Sequence, residues 1–244
     1  DYTCIIYDIS VVPPIIKHCF KDGIGCVWCV AFHPNLPLLA HSFHDCIVLR
    51  DLTTAPPTVK YHFNNDQHYF ICSIVFHPSL PLIFTGSKVS TICMYDISLL
   101  SPIIKCRLTG PDYGCDMNSV AFHFSFALFA CCSNTVVIIY DISTKILKLK
   151  HRLLDHQDII NDVVFHSNFP LLATASDDGH IIIYDLHKSV PCICHNLETS
   201  ELRFTLSFTR ITFHQNLPLL ICGGDDGTTI LYNLEHELCI VLNT

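Results

Sequence analysis

IINDVVFHSNFPLLATASDDGHIIIYDL, residues 159–186, contains three short apolar runs. A proline-bearing turn separates the first two, and Ser176-Asp177-Asp178-Gly179 separates the second from the third. Apolar runs of this length, rich in Val and Ile and bounded by turn residues, predict antiparallel β-strands. The stretch ends on an aromatic-Asp pair, Tyr184-Asp185. The same arrangement recurs along the chain, and that recurrence decides the fold class.

The closing position falls at Asp8, Asp51, Asp96, Asp141, Asp185 and Asn233, about 43 to 48 residues apart. Upstream of the last five lies a V-x-x-V-x-F strand: Val27-Val30-Phe32, Ile71-Ile74-Phe76, Met117-Val120-Phe122, Ile160-Val163-Phe165 and Phe208-Ile211-Phe213. Each closing Phe is followed by a His: His33, His77, His123, His166 and His214. A tight turn, a Leu-rich second strand, a polar turn and a β-branched third strand follow. A fourth strand is predicted at 14–20, 57–63, 102–108, 146–153, 191–197 and 238–242. Four strands in each repeat of this length is the signature of a propeller blade.

On these residues the chain resembles the WD40-repeat β-propeller family over essentially its whole length. The Trp-Asp pair of that family stands here as Tyr7-Asp8, Tyr95-Asp96, Tyr140-Asp141, Tyr184-Asp185 and Tyr232-Asn233, while one closing position reads Arg50-Asp51. The resemblance implies an all-β fold of four-stranded antiparallel blades, as one domain over residues 1–244. It has five full repeats and a partial N-terminal blade. The first residues read as a third strand, so the chain supplies two strands plus twenty. The favoured reading is a segment of a larger, seven-bladed chain. The resemblance also implies a structural network of His, Ser/Thr, Asp and Trp. Carried over residue by residue, the fourth full repeat keeps His156, Ser176 and Asp178, with Tyr184 in place of Trp. The fifth keeps Asp226 and Tyr232. Lys88 and Val89 stand where the second would carry acidic turn residues, so apolar packing is expected to hold most blades.

The composition suits this reading. Half the residues are hydrophobic and 15% are charged. No apolar run reaches the ~18 residues of a membrane-spanning helix. The formal net charge is −8, from 14 Lys+Arg against 22 Asp+Glu, with no basic cluster to neutralise phosphates. A nucleic-acid partner is therefore not expected. The 15 cysteines follow no framework spacing, and several, such as Cys93, Cys131 and Cys222, sit inside strand patterns. They read as reduced, buried hydrophobes of an intracellular protein, cytoplasmic or nuclear.

No residue set reads as catalytic, cofactor-binding or metal-ligating. The five His recur on different blades and cannot converge as metal ligands, so a turn role is expected. Cys26-Val27-Trp28-Cys29 lacks the second pair or the helix start that zinc and redox sites use. Cys192-Ile193-Cys194 is no better placed. Asp177-Asp178-Gly179 and Asp225-Asp226-Gly227 read as turns. The single Trp28 is expected in the core, with a binding anchor as the lesser reading.

A family feature is missing. Some propellers that serve as ubiquitin-ligase substrate receptors carry Arg two residues after the Asp of Trp-Asp. Those positions here are Ser10, Thr53, Ser98, Ser143, His187 and Glu235.

The expectation is a non-catalytic scaffold for protein or peptide partners. The alternative is a structural subunit buried in a large assembly. The loops before each first strand differ most between repeats. Their contact candidates are Asp66, His68, Asp112, Tyr113, Asp116, Asp155, Glu198, Glu201 and Arg203, of mostly acidic character.

Overall fold

The computed structural model describes residues 2–22, 25–43, 46–64, 70–99, 101–109, 116–123, 125–143, 147–198, 207–236 and 238–242. Among the described residues all regular structure is β, in twenty-two strands. The chain forms two compact units, residues 1–108 and 109–244.

In the first unit, β1 (Cys4–Asp8) and β2 (Ile15–Phe20) pair as a two-stranded antiparallel sheet. β3 (Val27–Phe32), β4 (Leu38–Phe43), β5 (Cys46–Asp51) and β6 (Thr58–Asn64) form a four-stranded sheet in chain order. β7 (Ile71–Phe76), β8 (Leu82–Ser87), β9 (Thr91–Asp96) and β10 (Ile103–Thr109) form the next. In the second unit, three sheets repeat the order. The first holds β11 (Met117–His123), β12 (Leu128–Ser133), β13 (Val136–Asp141) and β14 (Lys148–Leu153). The second holds β15 (Ile160–Phe165), β16 (Leu171–Ser176), β17 (His180–Asp185) and β18 (Cys192–Glu198). The third holds β19 (Phe208–Phe213), β20 (Leu219–Gly224), β21 (Thr229–Asn233) and β22 (Leu238–Leu242). The expected count of two strands and five complete blades is what is observed.

The strands form where the sequence is β-branched, and they stay in register because both faces of the middle strands are covered. β4 and β12 are buried at every residue. Strands covered on both faces lose the alternation of a half-exposed sheet and read as continuous apolar runs. Ile181-Ile182-Ile183 in β17 is an example: Ile182 packs toward the β11–β14 sheet, and Ile181 and Ile183 toward the β19–β22 sheet. In the first unit, Leu38, Ala40, Ile47 and Leu49 meet Ile71, Ile74, Phe76 and Ile83 of the next sheet.

Two local devices repeat. The turn between second and third strands places one residue in the left-handed region, at Ser90 (φ 54°), Asn134 (φ 51°), Gly179 (φ 82°) and Gly227 (φ 84°). The closing Asp or Asn accepts the N–H two residues on, through Oδ1, at Asp8, Asp51, Asp96, Asp141, Asp185 and Asn233. The position where an Arg was sought therefore serves as the donor of a local turn.

Trp28 corrects the sequence reading. Each first strand carries a register shift near its start, and Trp28 sits at the one between Val27 and Cys29. The shift turns the indole out of the core, and it is 45% exposed. Its ring lies edge-on to Phe70 at 5.7 Å, with the Lys88 ammonium 5.6 Å away.

Candidate interaction surface and its polar networks

The loop before β15, Asp155–Asp158, is the candidate contact loop whose structure is described throughout. Five hydrogen bonds hold it to the strands and the turn behind it. The Tyr184 hydroxyl donates to Asp155 Oδ2 at 3.0 Å. The His156 ring spans two partners, with Nδ1 2.8 Å from Asp178 Oδ2 and Nε2 2.7 Å from Thr174 Oγ1. The Gln157 N–H donates to Asp178 Oδ2 at 2.9 Å, and the Ser176 hydroxyl donates to the Asp158 carbonyl at 3.1 Å. Asp178 also accepts the His180 N–H, so one carboxylate joins the loop to the turn between β16 and β17.

The residues carried over from the family pattern thus sit together around His156. Thr174, which the sequence reading passed over, supplies the hydroxyl beside the imidazole. Ser176 lies one step outward, accepting the Asp178 N–H and holding Asp158. In the last sheet, Asp226 accepts the N–H and hydroxyl of Thr228, and Tyr232 is buried near His195. These two are not brought to a common site with the His156 cluster.

Burial sets the charge states. Desolvation lowers the pKa of His156 against the opposing pull of Asp178. Burial acts to raise Asp178, but the Gln157 N–H, His156 and the His180 N–H hold it below the usual carboxylate range. Burial and the neighbouring Asp155 push the Tyr184 hydroxyl up. With both ring nitrogens engaged and the side chain almost wholly buried, His156 has no face to offer a reacting group. Its arrangement is that of a brace.

The β3–β6 sheet fills the same slots with different chemistry. Asp22 stands five residues before β3, as Asp155 does before β15. His41 takes the place of Thr174 in the second strand, and Arg50 that of Tyr184 in the third. Arg50 forms an ion pair with Asp22, lies 3.9 Å from the Phe20 ring centroid and donates to the Pro57 carbonyl. His41 is fully buried, 3.2 Å from Asp22 Oδ2, and neither ring nitrogen is hydrogen-bonded. Burial lowers its pKa to about 4. This cluster adds a polar brace to a blade that lacks the family network, beside the apolar packing expected to hold most blades. The departure from an aromatic residue at Arg50 was visible in the sequence, but its partner 28 residues upstream was not.

The five His after the first strands act within their own turns. Nδ1 accepts two successive backbone N–H groups at His33, His77, His166 and His214, and one at His123. His123 Nε2 also reaches the Phe169 carbonyl of the following sheet at 2.7 Å. Asp162 crosses between sheets as well, accepting the Ile211 N–H at 3.0 Å. Burial raises its pKa. Asp177, the other carboxylate of the turn pair, accepts from Asn161 and from Ser207 of the next sheet.

Of the remaining contact candidates, Asp116 and Glu198 are exposed at strand ends. Asp66, His68, Asp112, Tyr113, Glu201 and Arg203 lie outside the described residues. Cys29 Sγ accepts the Ile74 N–H at 3.2 Å, so half of the Cys-x-x-Cys pair is engaged between sheets. Cys131 and Cys132 are fully buried, and burial pushes the Cys131 thiol up to about 12.

Comparison with known proteins accords with this architecture. Residues 147–185 match the family model described as WD domain, G-beta repeat. That segment runs from the fourth strand of one sheet, β14, through three strands of the next. Over that segment the chain carries a WD40 repeat. It is similar to ribosome biogenesis protein bop1 of Danio rerio, with 27% identity over 212 residues, which are 83% of this chain and 20% of that protein. It is 34% identical to ribosome biogenesis protein ERB1 of Ajellomyces capsulatus over 124 residues, 47% of this chain and 14% of that protein. The Arabidopsis thaliana BOP1 homolog is 28% identical over 167 residues, 64% of this chain and 21% of that protein. The chain spans about a fifth or less of the length of these relatives.

Two predictions follow from the braces. Asp178→Ala removes an acceptor shared by His156, Gln157 and His180, and should cost about 1–3 kcal/mol in urea unfolding. An unchanged midpoint would show that the carboxylate is not a brace. The second concerns pH. His33, His41, His77, His123, His156 and His166 all have pKa values lowered by burial in the folded state. The unfolded chain therefore binds protons first, and stability rises with pH across this range. It is complete above about pH 6.5 and is lost as pH falls toward the folded values. Urea midpoints should drop between pH 7 and 5, and His41→Gln should flatten part of that slope. Equal midpoints at the two pH values would contradict the neutral, buried assignment.

Proposed function

We propose that this chain is a non-catalytic scaffold of the WD40 type that holds protein partners within a multiprotein assembly, acting in ribosome biogenesis, the process that its relatives' names give. The observation that carries the reading is the bracing of the Asp155–Asp158 loop. A loop fixed by five hydrogen bonds to the strands and turn beneath it loses little conformational entropy when a partner binds. Its polar groups serve position rather than reaction. The relatives named above support the biological setting, and an intracellular, nuclear site of action goes with it. Among the described residues no helix is long and apolar enough to cross a membrane. Proteins or peptides are the proposed partners. The net charge of −8 disfavours direct phosphate contact on the scale of a nucleic-acid interface.

A second reading, that of a subunit largely covered by its neighbours, has its own support. Val12 is 96% exposed, Ile9 81% and Val190 71%. Apolar side chains displayed to this extent suit surfaces that are covered in an assembly.

The test is purification of the tagged chain from its native cells, with bound proteins identified and quantified. A stoichiometric set retained at high salt is expected. Recovery of no protein at stoichiometry would contradict both readings. Asp116→Asn combined with Glu198→Gln should lower recovery of partners without moving the thermal midpoint. Undiminished recovery would move the contact away from these loop ends.

A further inference from the structure

The first residue of a blade's third strand and the fifth residue of its fourth lie diagonally across one face of the sheet, within reach of each other's side chains. In the β15–β18 sheet these positions carry His180 and Asn196, with Nδ1 2.9 Å from Oδ1. That contact is a brace at the strand end. In the β3–β6 sheet the same positions carry Cys46 and His62. The register is the same, since Val48 faces His62 across the ladder as Ile182 faces Asn196. Cys46 Sγ lies 3.2 Å from His62 Nε2. His41 of β4 faces Val48 in turn, so the pair borders the cluster of Asp22, His41 and Arg50. The placement is that of a brace, but the two residue types are a nucleophile and a base.

Cys132 and Cys194 show the contrast. Cys194 Sγ donates to the Ile183 carbonyl at 3.2 Å, and Cys132 Sγ to the Ser119 and Ile160 carbonyls. A carbonyl holds a thiol proton without removing it, and burial raises the pKa of both thiols. Cys46 is half-buried at its strand end and His62 is exposed, so solvent reaches this pair.

The structure assigns Cys46 as a modification site, a thiol that exchanges with a small-molecule disulfide while His62 serves as its base. His62 Nε2 takes the proton from Cys46 Sγ. The thiolate attacks one sulfur of a disulfide R–S–S–R. The bond between those two sulfurs breaks as the Cys46 Sγ–S bond forms. The departing thiolate takes the proton from His62 and leaves as R–SH. The small disulfide is the oxidant, and Cys46 ends as a mixed disulfide. This inference goes beyond the scaffold reading and does not depend on it.

The test treats the reduced 244-residue chain with oxidised glutathione at pH 7, quenches with acid and follows each cysteine by peptide mass spectrometry. Cys19 and Cys26, both exposed, are internal references. Cys46 should form its mixed disulfide about three- to tenfold faster than either, since an unaided thiol is only a few per cent thiolate at this pH, while a readily ionised one is somewhat less nucleophilic. His62→Gln should remove that advantage and leave the rates at Cys19 and Cys26 unchanged. At pH 9, where ordinary thiols ionise without help, the variant and the unaltered chain should react alike at Cys46. The inference is overturned if Cys46 reacts no faster than Cys19 and Cys26 in the unaltered chain at pH 7, a comparison that needs no variant to fold. It is also overturned if His62→Gln reacts at the unaltered rate, or if its deficit is as large at pH 9 as at pH 7, as a purely structural histidine would give.

Discussion

Within each unit, packing of a first strand's apolar stripe onto the sheet before it, as β7 on the β3–β6 sheet and β15 on the β11–β14 sheet, is the constraint on which the structure depends. A four-stranded sheet with one bare face would be a weak unit, since isolated strands gain little without a covered surface. Stacking solves this by covering both faces. The β3–β6 sheet touches the β1–β2 sheet on one side and the β7–β10 sheet on the other. The β15–β18 sheet lies between two complete neighbours. The chain's high hydrophobic content follows directly: the central strands have no solvent face to fill with polar residues. It also explains why an uncovered stripe, at Val30 and Phe32, stands out against the buried equivalents Ile74 and Phe76.

Apolar packing has no direction, so polar groups set where loops and turns lie. Those groups are used economically. One carboxylate, Asp178, fixes a loop and a turn together. One imidazole nitrogen fixes two turn amides at His33, His77, His166 and His214. An imidazole accepts through Nδ1 only when that nitrogen carries no proton, and at His33, His77 and His166 burial favours the neutral form. At the slots of Asp155, Thr174 and Tyr184, the first unit has Asp22, His41 and Arg50, exchanging a neutral hydroxyl chain for a buried ion pair. Breaking such a pair leaves an unpaired buried charge, so its members are less exchangeable than apolar ones. The two solutions hold the same part of the blade by different physics.

Much of the fold was legible because it repeats. The closing Asp, the V-x-x-V-x-F stripe and the turn residues give strand order and number without knowledge of any contact. The polar braces were less legible, since their members lie far apart in sequence and only the fold brings them together. His156, Asp178 and Tyr184 could be named from family resemblance. Thr174 could not be told from Ser176, as both are hydroxyl residues on β16, and only the reach of His156 Nε2 separates them. Asp22 carried no motif at all. Trp28 was misread because the period-two alternation of the strand is interrupted by the register shift at that residue, which no hydrophobic pattern records. The partner-binding residues were chosen from variability between loops, a signal that locates a surface but carries no chemistry of its own.

The stripe contrast is tested most directly by two truncations in the same unit, measured by urea unfolding. Ile74→Ala removes a side chain buried against the preceding sheet and should cost about 2–5 kcal/mol. Val30→Ala, at the equivalent motif position, should stay within about 0.5 kcal/mol of the unaltered chain. That difference is what the packing account predicts. Equal losses at the two positions would contradict it, because Val30 would then be as thoroughly covered as Ile74.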